Sequence, residues 1–494
     1  MHDTRSPRVC GQKAAQLGFT EAVLNITFFK IDVDRVDCLY VLPAKTPDAS
    51  DFSASRFDAA LELSPHLANL FSNVKNVGHK RAGSANLYIR GSNSRGGLKS
   101  LPVGCIVFDE LDEMNQDNII LAEERVSGQP VWQIWKISTP TIPSHGINKD
   151  FLLSTQKHFV FKCPCCGKAT ELIFPECLVI PTDDRLSPLL NETRLICKEC
   201  KSQLHHEDKI NFLKYGVWTP FGLQNADIEG FYINQLYSST ITPKQLAFAY
   251  LSSLVDKVAE QEFFNSKLGL PHVPKGGQVT DVEIIRAKKT YISGPKEGKL
   301  ITLGVDQGSW LHCELCAWDF PKYTNDLNMS AQPQVIKQLK VLDFETLALL
   351  MREYQVNFCV IDAQPERRKA YEFACDFWGY VKLCFYSNGA KGNMISDTSN
   401  PDRHEISVDR TTWLDVALNR FHQNTIDLPI DVDEEYRTHI KNQVRRYVKD
   451  SYGNPVGRYV SIGADHYGHA RCYSEIALPC AAAQATNSDI KRFL

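Results

Sequence analysis

The sequence predicts an α/β protein made of two successive α/β units, with a cysteine-bearing insert attached to the first. Three observations carry this. Between residues 21 and 137, apolar runs of strand character alternate with segments of helical period, the pattern of a parallel sheet covered by helices. Residues 158–206 break that rhythm with cysteines and short strand-like runs. A stretch rich in Gly, Pro and Lys at 271–299 reads as a linker, and a second α/β alternation follows it. The 494 residues suit about three domains. With 43% hydrophobic and 23% charged residues, wholesale disorder is excluded. A net charge of −3 leaves any nucleic-acid contact to local basic patches. No run approaches the ~18 unbroken apolar residues of a membrane helix. No apolar export segment follows Met1, so the expected setting is the reducing cytoplasm, away from any membrane.

Taken in order, residues 21–32 carry apolar positions at helical spacing, and 36–42 read as a strand closed by Pro43. Residues 50–73 read as one or two helices. Strands are expected at 86–90, 103–108 and 131–137, and 224–270 reads as helical and aromatic. In the second unit, 300–305 and 313–320 read as adjacent strands and 357–361 as another, with helices at 411–422 and 467–478. The expected domains are 1–157, a cysteine insert at 158–218, a helical remainder of the first unit with the linker at 219–298, and 299–494.

Residues 104–110 read Gly-Cys-Ile-Val-Phe-Asp-Glu, a buried strand running into two carboxylates. This is the Walker B arrangement of P-loop ATPases. Asp109 would hold Mg²⁺ through water, and Glu110 would orient or deprotonate the attacking water. An ordinary strand exit capped by acids has the same appearance, so the upstream sequence matters. It contains no G-x-x-x-x-G-K-[ST]. Instead Lys13-Ala-Ala-Gln16-Leu-Gly18-Phe-Thr20-Glu opens the helix at 21–32. Gly18 permits a tight turn, Thr20 offers a hydroxyl to Mg²⁺, and the helix N-terminus supplies N–H groups to phosphate. Phe19 stands where the lysine usually does, so Lys13 must reach in from the start of the loop. After the next strand comes Ser138-Thr139-Pro140-Thr141, either a hydroxyl-rich strand end that senses a γ-phosphate or a simple proline turn.

Of sixteen cysteines, several lie singly in apolar runs and read as core. Cys163-Pro-Cys-Cys166 and Cys197-Lys-Glu-Cys200 are two knuckles whose four thiolates can surround one structural Zn²⁺, with Cys165 a bystander. A closed Cys₄ site serves folding and has no open position for catalysis. Cys313 and Cys316 lie in a strand-like run and read as core.

In the second unit, Asp306 and Asp362 each stand near the end of a strand, and Asp465-His466-Tyr-Gly-His469 opens a late helix. A central strand, a neighbouring strand and a late helix each bringing one ligand is the RNase H-like nuclease layout, with two Mg²⁺ or Mn²⁺ ions acting on a phosphodiester.

Together these residues resemble the lambda-type large terminase subunits of tailed phages. The loop at 13–21 is similar to that family's deviant Walker A, Phe-Asp-Glu at 108–110 to its Walker B, and Ser-Thr-Pro-Thr at 138–141 to its coupling motif. Gly216-Val-Trp218 and Gly230-Phe-Tyr-Ile-Asn-Gln-Leu-Tyr-Ser238 resemble stretches after its zinc-binding segment, and the loop at 91–98, with Arg95, the segment before Walker B. The resemblance implies a P-loop, ASCE-like ATPase domain with a zinc-ribbon-like insert, followed by an RNase H-like nuclease domain. It implies ATP bound by Lys13, Gln16, Gly18, Thr20 and Asp109, with Glu110 catalytic and Ser138 and Thr139 coupling hydrolysis to movement. Asp306, Asp362 and Asp465 would form the nuclease centre. It implies double-stranded DNA, a small terminase subunit, a portal or procapsid and a homo-oligomeric ring as partners. Two departures stand out. Family members usually carry a longer N-terminal segment that contacts the adenine, so weaker nucleotide affinity is expected. The late helix, commonly Asn-His-x-x-Asp, ends on His469 here, so Asp465 with His469 assisting is the expected third ligand. The run Lys441, Arg445, Arg446, Lys449 reads as a DNA contact or as a solvated helix face. A catalytically decayed prophage remnant, acting only as a zinc-stabilised DNA-binding or assembly protein, is the alternative.

Overall fold

Two short apolar runs with no polar interruption, Cys38–Leu42 and residues 105–108, form strands buried on both faces at the middle of the first sheet. The computed structural model describes residues 1, 4–72, 74–99, 101–319, 331–387, 403–449 and 454–484. They fall into two compact units, Met1–Pro274 and Lys275–Leu494.

The first unit is centred on six parallel strands in the spatial order Ile228–Ile233, Arg8–Lys13, Gln133–Ser138, Cys105–Asp109, Cys38–Leu42 and Ala85–Gly91. One strand therefore lies between the strand that ends on Lys13 and the one that ends on Asp109. The helix Phe19–Asp32 follows the first strand and buries Phe19, Val23, Leu24, Phe28 and Ile31 against the sheet. The expected helical stretch at 224–270 begins differently: 228–233 is a strand, parallel to the first and beside it. Its run Ile-Glu-Gly-Phe-Tyr-Ile is too short to display a period, and pairing decided it. Helices then form at Pro243–Ser253, opened by a Thr242/Gln245 capping box, and at Lys257–Glu262. The cysteine insert carries a small antiparallel sheet of Leu178–Val179, Arg194–Ile196 and Gln203–Leu204. The strands at its two ends, Lys157–Lys162 and Val217–Pro220, pair with each other, and Lys157–Lys162 extends the main sheet beside Ile228–Ile233.

The second unit holds a six-stranded mixed sheet in the order Gln332–Val341, Leu311–Asp319, Leu300–Gln307, Phe358–Asp362, Val381–Ser387 and Glu405–Asp409. The first three are antiparallel and the rest run parallel to the central Leu300–Gln307. The helix His466–Gln484 lies on that central strand at Gly304, where any Cβ would fall on the helix backbone at Ala470 and Ser474. Arg471 and Glu475 of this helix and Glu314 of the strand Leu311–Asp319 are fully buried. Arg471 pairs with Glu314 at 2.7 Å and also with Glu475, Arg420 pairs with Glu475 at 2.6 Å, and Tyr436 donates to Glu314 at 2.6 Å. Such a buried network is stable only while every member is paired.

The linker-like stretch contains more structure than its composition suggests. Thr280 and Glu283 form a capping box that opens the helix Asp281–Ala287, and Val279, Ile284 and Ala287 join the core of the second unit. The basic run is not one helix face. Lys441 ends the helix Glu434–Lys441, whereas Arg445 and Arg446 lie on the strand Gln443–Lys449, hairpinned to Pro455–Ser461. Lys441 is paired with Asp281 at 2.7 Å and Arg445 with Asp415 at 2.8 Å; the side chain of Lys449 lies outside the described residues.

Candidate nucleotide, zinc and nuclease centres

In the first unit, the C-terminal ends of the parallel strands bring the sequence-selected groups together. Lys13 is buried, and its Nζ lies 2.7 Å from Glu110 Oε1 and 3.5 Å from Thr139 Oγ1. Thr20, in the first turn of the loop helix, donates to Asp109 Oδ1 at 3.3 Å. Glu110 adopts a left-handed backbone, φ 64°, unusual for a side chain of this size, and accepts a long contact from the Thr139 N–H at 3.5 Å. Gln16 and Gly18 form an exposed turn with φ of 58° and 76°. Ser138 Oγ accepts from the Asp112 N–H at 3.1 Å and donates to the Thr139 carbonyl at 3.0 Å. Arg95 is exposed. Burial and the neighbouring Glu110 charge push the Asp109 carboxyl up to about 6, against the pull of Lys13 and of hydrogen bonds from Tyr40 and Thr20. A carboxylate and a hydroxyl on one side of an exposed, N–H-rich turn make an oxygen donor set that fits Mg²⁺ carrying phosphate.

In the insert, the sulfurs of Cys163, Cys166, Cys197 and Cys200 lie within 4.8 Å of one another, with Cys163 and Cys200 at 3.9 Å. Tetrahedral Zn–S bonds of ~2.3 Å place sulfurs roughly 3.8 Å apart, so the four thiols fit one Zn²⁺. Cys165 points elsewhere, 3.1 Å from Ser202 Oγ. Cys313 and Cys316 are both completely buried in the second unit's sheet.

In the second unit, register sets the site. Val305 pairs with Ile361 across parallel strands, which brings Asp306 and Asp362 to adjacent strand ends. Burial pushes the Asp362 carboxyl up to about 6, with the Asp306 charge adding to it. Asp465 turns to His469, 3.2 Å away, and His469 also meets the Tyr386 hydroxyl at 3.1 Å. Burial opposes ionisation of Asp465, but the His469 hydrogen bond and charge prevail and hold its carboxyl below the usual range. Asp306 is closest to a residue of the same helix turn, His466, whose Nδ1 lies 2.8 Å from Asp306 Oδ2. Among the described residues, the group around Asp306 with all its ligand atoms within 4.8 Å is Asp306, His312 and His466; Asp362 and Asp465 stand outside it.

Comparison with known proteins decides the family. Residues 1–218 match the family described as phage terminase large subunit gpA, ATPase domain, and residues 228–427 match terminase large subunit gpA, endonuclease domain. The chain belongs to the phage large-terminase family. The large terminase subunit of Escherichia phage lambda is 24% identical over 332 residues, covering 60% of this chain and 51% of that protein. The chain thus spans about half the length of that curated relative. Among solved structures, the large terminase of bacteriophage HK97 aligns with 94% of this chain and 90% of its own at 10% identity and a TM-score of 0.49. The ATPase domain of the Thermus phage P74-26 large terminase covers 55% of this chain and 90% of its own at 13% identity and a TM-score of 0.34.

Several groups around these terminase sites escaped the sequence reading. Tyr40, fully buried, donates to Asp109 Oδ2 at 2.7 Å. Asp112, two residues past Glu110, accepts from the Thr141 N–H and hydroxyl at 2.8 Å each and from the Ile147 N–H at 2.7 Å, so it ties the acidic turn to the segment after Ser138. Gln235 donates to Ala15 O of the loop at 13–20, and Gln12, on the strand before it, donates to Gly269 O and accepts from Asn148, all at 2.9 Å. His312 is the corresponding omission in the second unit, whereas His466 stood in the Asp465–His469 motif without a role of its own. Apart from His466, none of these belongs to a spaced motif, because each reaches its site through strand register or a loop return.

Proposed function

We propose that the chain is the large subunit of a DNA-packaging motor. It drives double-stranded viral DNA into a procapsid with ATP and cuts concatemeric DNA with a metal-dependent endonuclease. The contact between Lys13 Nζ and Glu110 at the end of the acidic strand, beside Thr20 on Asp109, supports this reading most directly. Lys13 neutralises phosphate charge, Asp109 and Thr20 hold Mg²⁺, and Glu110 aligns the attacking water once the nucleotide draws Lys13 away from it. Gln16 and Gly18 wrap the phosphates, and Ser138 and Thr139 pass the state of the γ-phosphate through Asp112 to the segment that follows. Asp306 and Asp362, with Asp465 and His469 near the same helix turn, bind the Mg²⁺ or Mn²⁺ that activates water for phosphodiester cleavage. The four knuckle cysteines hold a structural Zn²⁺. A small terminase subunit supplies the choice of DNA, a ring of copies at the portal supplies directed movement, and the work takes place in the host cytoplasm.

The test is nucleotide turnover and plasmid cleavage by the purified chain. DNA-stimulated ATP hydrolysis should fall by at least about 100-fold in Lys13→Ala and in Glu110→Gln. Mn²⁺-dependent cleavage should vanish in Asp306→Asn. A wild-type chain that turns over no ATP and cuts no DNA would leave only the decayed, DNA-binding alternative.

A further inference from the structure

The sheet places a histidine directly beside the acid that opens the nuclease centre. Asp306 and His312 are partners across the antiparallel pair of Leu300–Gln307 and Leu311–Asp319. Direct partners project from the same face with Cβ atoms about 5 Å apart. Asp306 therefore has His312 on one flank and Asp362 on the other. The first turn of His466–Gln484 adds His466, 2.8 Å from Asp306. One ligand atom from each of Asp306, His312 and His466 lies within 4.8 Å of the others. His312 is only 5% exposed, and its Nδ1 has no hydrogen-bond partner among the described residues. A buried ring nitrogen left unpaired costs free energy unless something else occupies it. The rings of His312 and His466 stack at 4.5 Å, and His439 stands 5.7 Å from each.

Mg²⁺ demands oxygen ligands and retains its water, whereas imidazole suits Fe²⁺, Zn²⁺ and the other later divalent transition metals, and Mn²⁺, the weakest binder of that series, sits between the two. A set with two imidazoles and one carboxylate is poorly matched to Mg²⁺. We propose that Asp306, His312 and His466 form a nitrogen-bearing site for a divalent transition metal, with Asp306 shared between this ion and one bound towards Asp362. The nuclease centre is then asymmetric: an oxygen-rich position on one side of Asp306 and an imidazole position on the other. Mn²⁺ can fill both positions, whereas Mg²⁺ fills only the oxygen-rich side. The role in cleavage rests on the nuclease reading above; the metal site itself does not.

Mn²⁺ is the probe, added to the 494-residue chain with its knuckle thiols loaded with zinc. Pulsed electron paramagnetic resonance of the bound Mn²⁺ should show ¹⁴N coupling from directly coordinated imidazole. A tenfold excess of Mg²⁺ should leave that signal in place. The double variant His312→Gln/His466→Gln should lose the coupling and bind Mn²⁺ at least tenfold more weakly, while Asp362→Asn keeps the coupling. Thermal melting without added Mn²⁺ checks that the double variant folds. If it does not, each single substitution should still reduce the coupling. A wild-type spectrum without ¹⁴N coupling, or coupling unchanged by the substitutions, overturns the proposal. Cleavage in Mg²⁺ alone, with no nitrogen coupling, would overturn it and leave the nuclease reading standing. Nitrogen coupling in a chain that cuts no DNA would support the metal site and count against the nuclease reading.

Discussion

Tyr40 is a single side chain that bears on the proposed nucleotide site. Its hydroxyl donates to Asp109, which favours the ionised carboxylate that a metal needs. Asp109 already sits high, at about 6, because it is buried beside Glu110. Tyr40→Phe removes a bond to the charged form, so Asp109 titrates higher still. At limiting Mg²⁺, the acid limb of ATP hydrolysis should move to higher pH by about one unit, with the alkaline side unchanged. A pH profile of DNA-stimulated turnover measures this, and an unshifted limb would remove Tyr40 from the site. Lys13, Thr20 and Glu110 were legible in the sequence because their chemistry is tied to a loop before a helix and to acids after a strand. Tyr40 was not, because one tyrosine in a strand gives no sign of its neighbour 69 residues away. The same holds for His312, whose partner is chosen by the pairing register of two strands.

At the scale of the element, the long C-terminal helix owes its place to an absent side chain. Gly304 lies on the central strand where the helix backbone crosses it. Gly304→Ala puts a methyl group against main-chain atoms that cannot rotate away, so the helix must shift. The expected cost is about 3 kcal/mol, the upper part of the range for overpacking, read from denaturant unfolding of the second unit. Cleavage should fall more than stability, since His466 and His469 ride on the first turn of that helix. Elements with strong local character, such as 19–32, 105–109 and 466–484, were predictable from period and composition. The strand 228–233 was not, because six mixed residues carry no period that excludes a helix. The helix at 281–287 lay in a stretch whose glycines and prolines suggested a linker, although its capping box was visible in the sequence.

At the scale of the whole molecule, the two units have separate cores, so injury to one should spare the other. Treating the chain with a zinc chelator and then restoring Mn²⁺ should lower ATP turnover and open 158–218 to protease, while Mn²⁺-dependent cleavage persists. Zinc quantification, limited proteolysis and the two activities measure this together, and equal loss of both activities would contradict it. The reason lies in the margin of the first sheet. The insert leaves and rejoins that sheet through Lys157–Lys162 and Val217–Pro220, and Lys157–Lys162 abuts Ile228–Ile233, the immediate neighbour of the strand ending on Lys13. A zinc ion held by the four thiols would thus be anchored on a segment that leaves Lys157–Lys162, two strands from the strand that ends on Lys13. On the proposed function, oxidation of those four thiols would then act as a brake, slowing ATP turnover from the rim of the sheet without touching the strand ends where Lys13 and Asp109 stand.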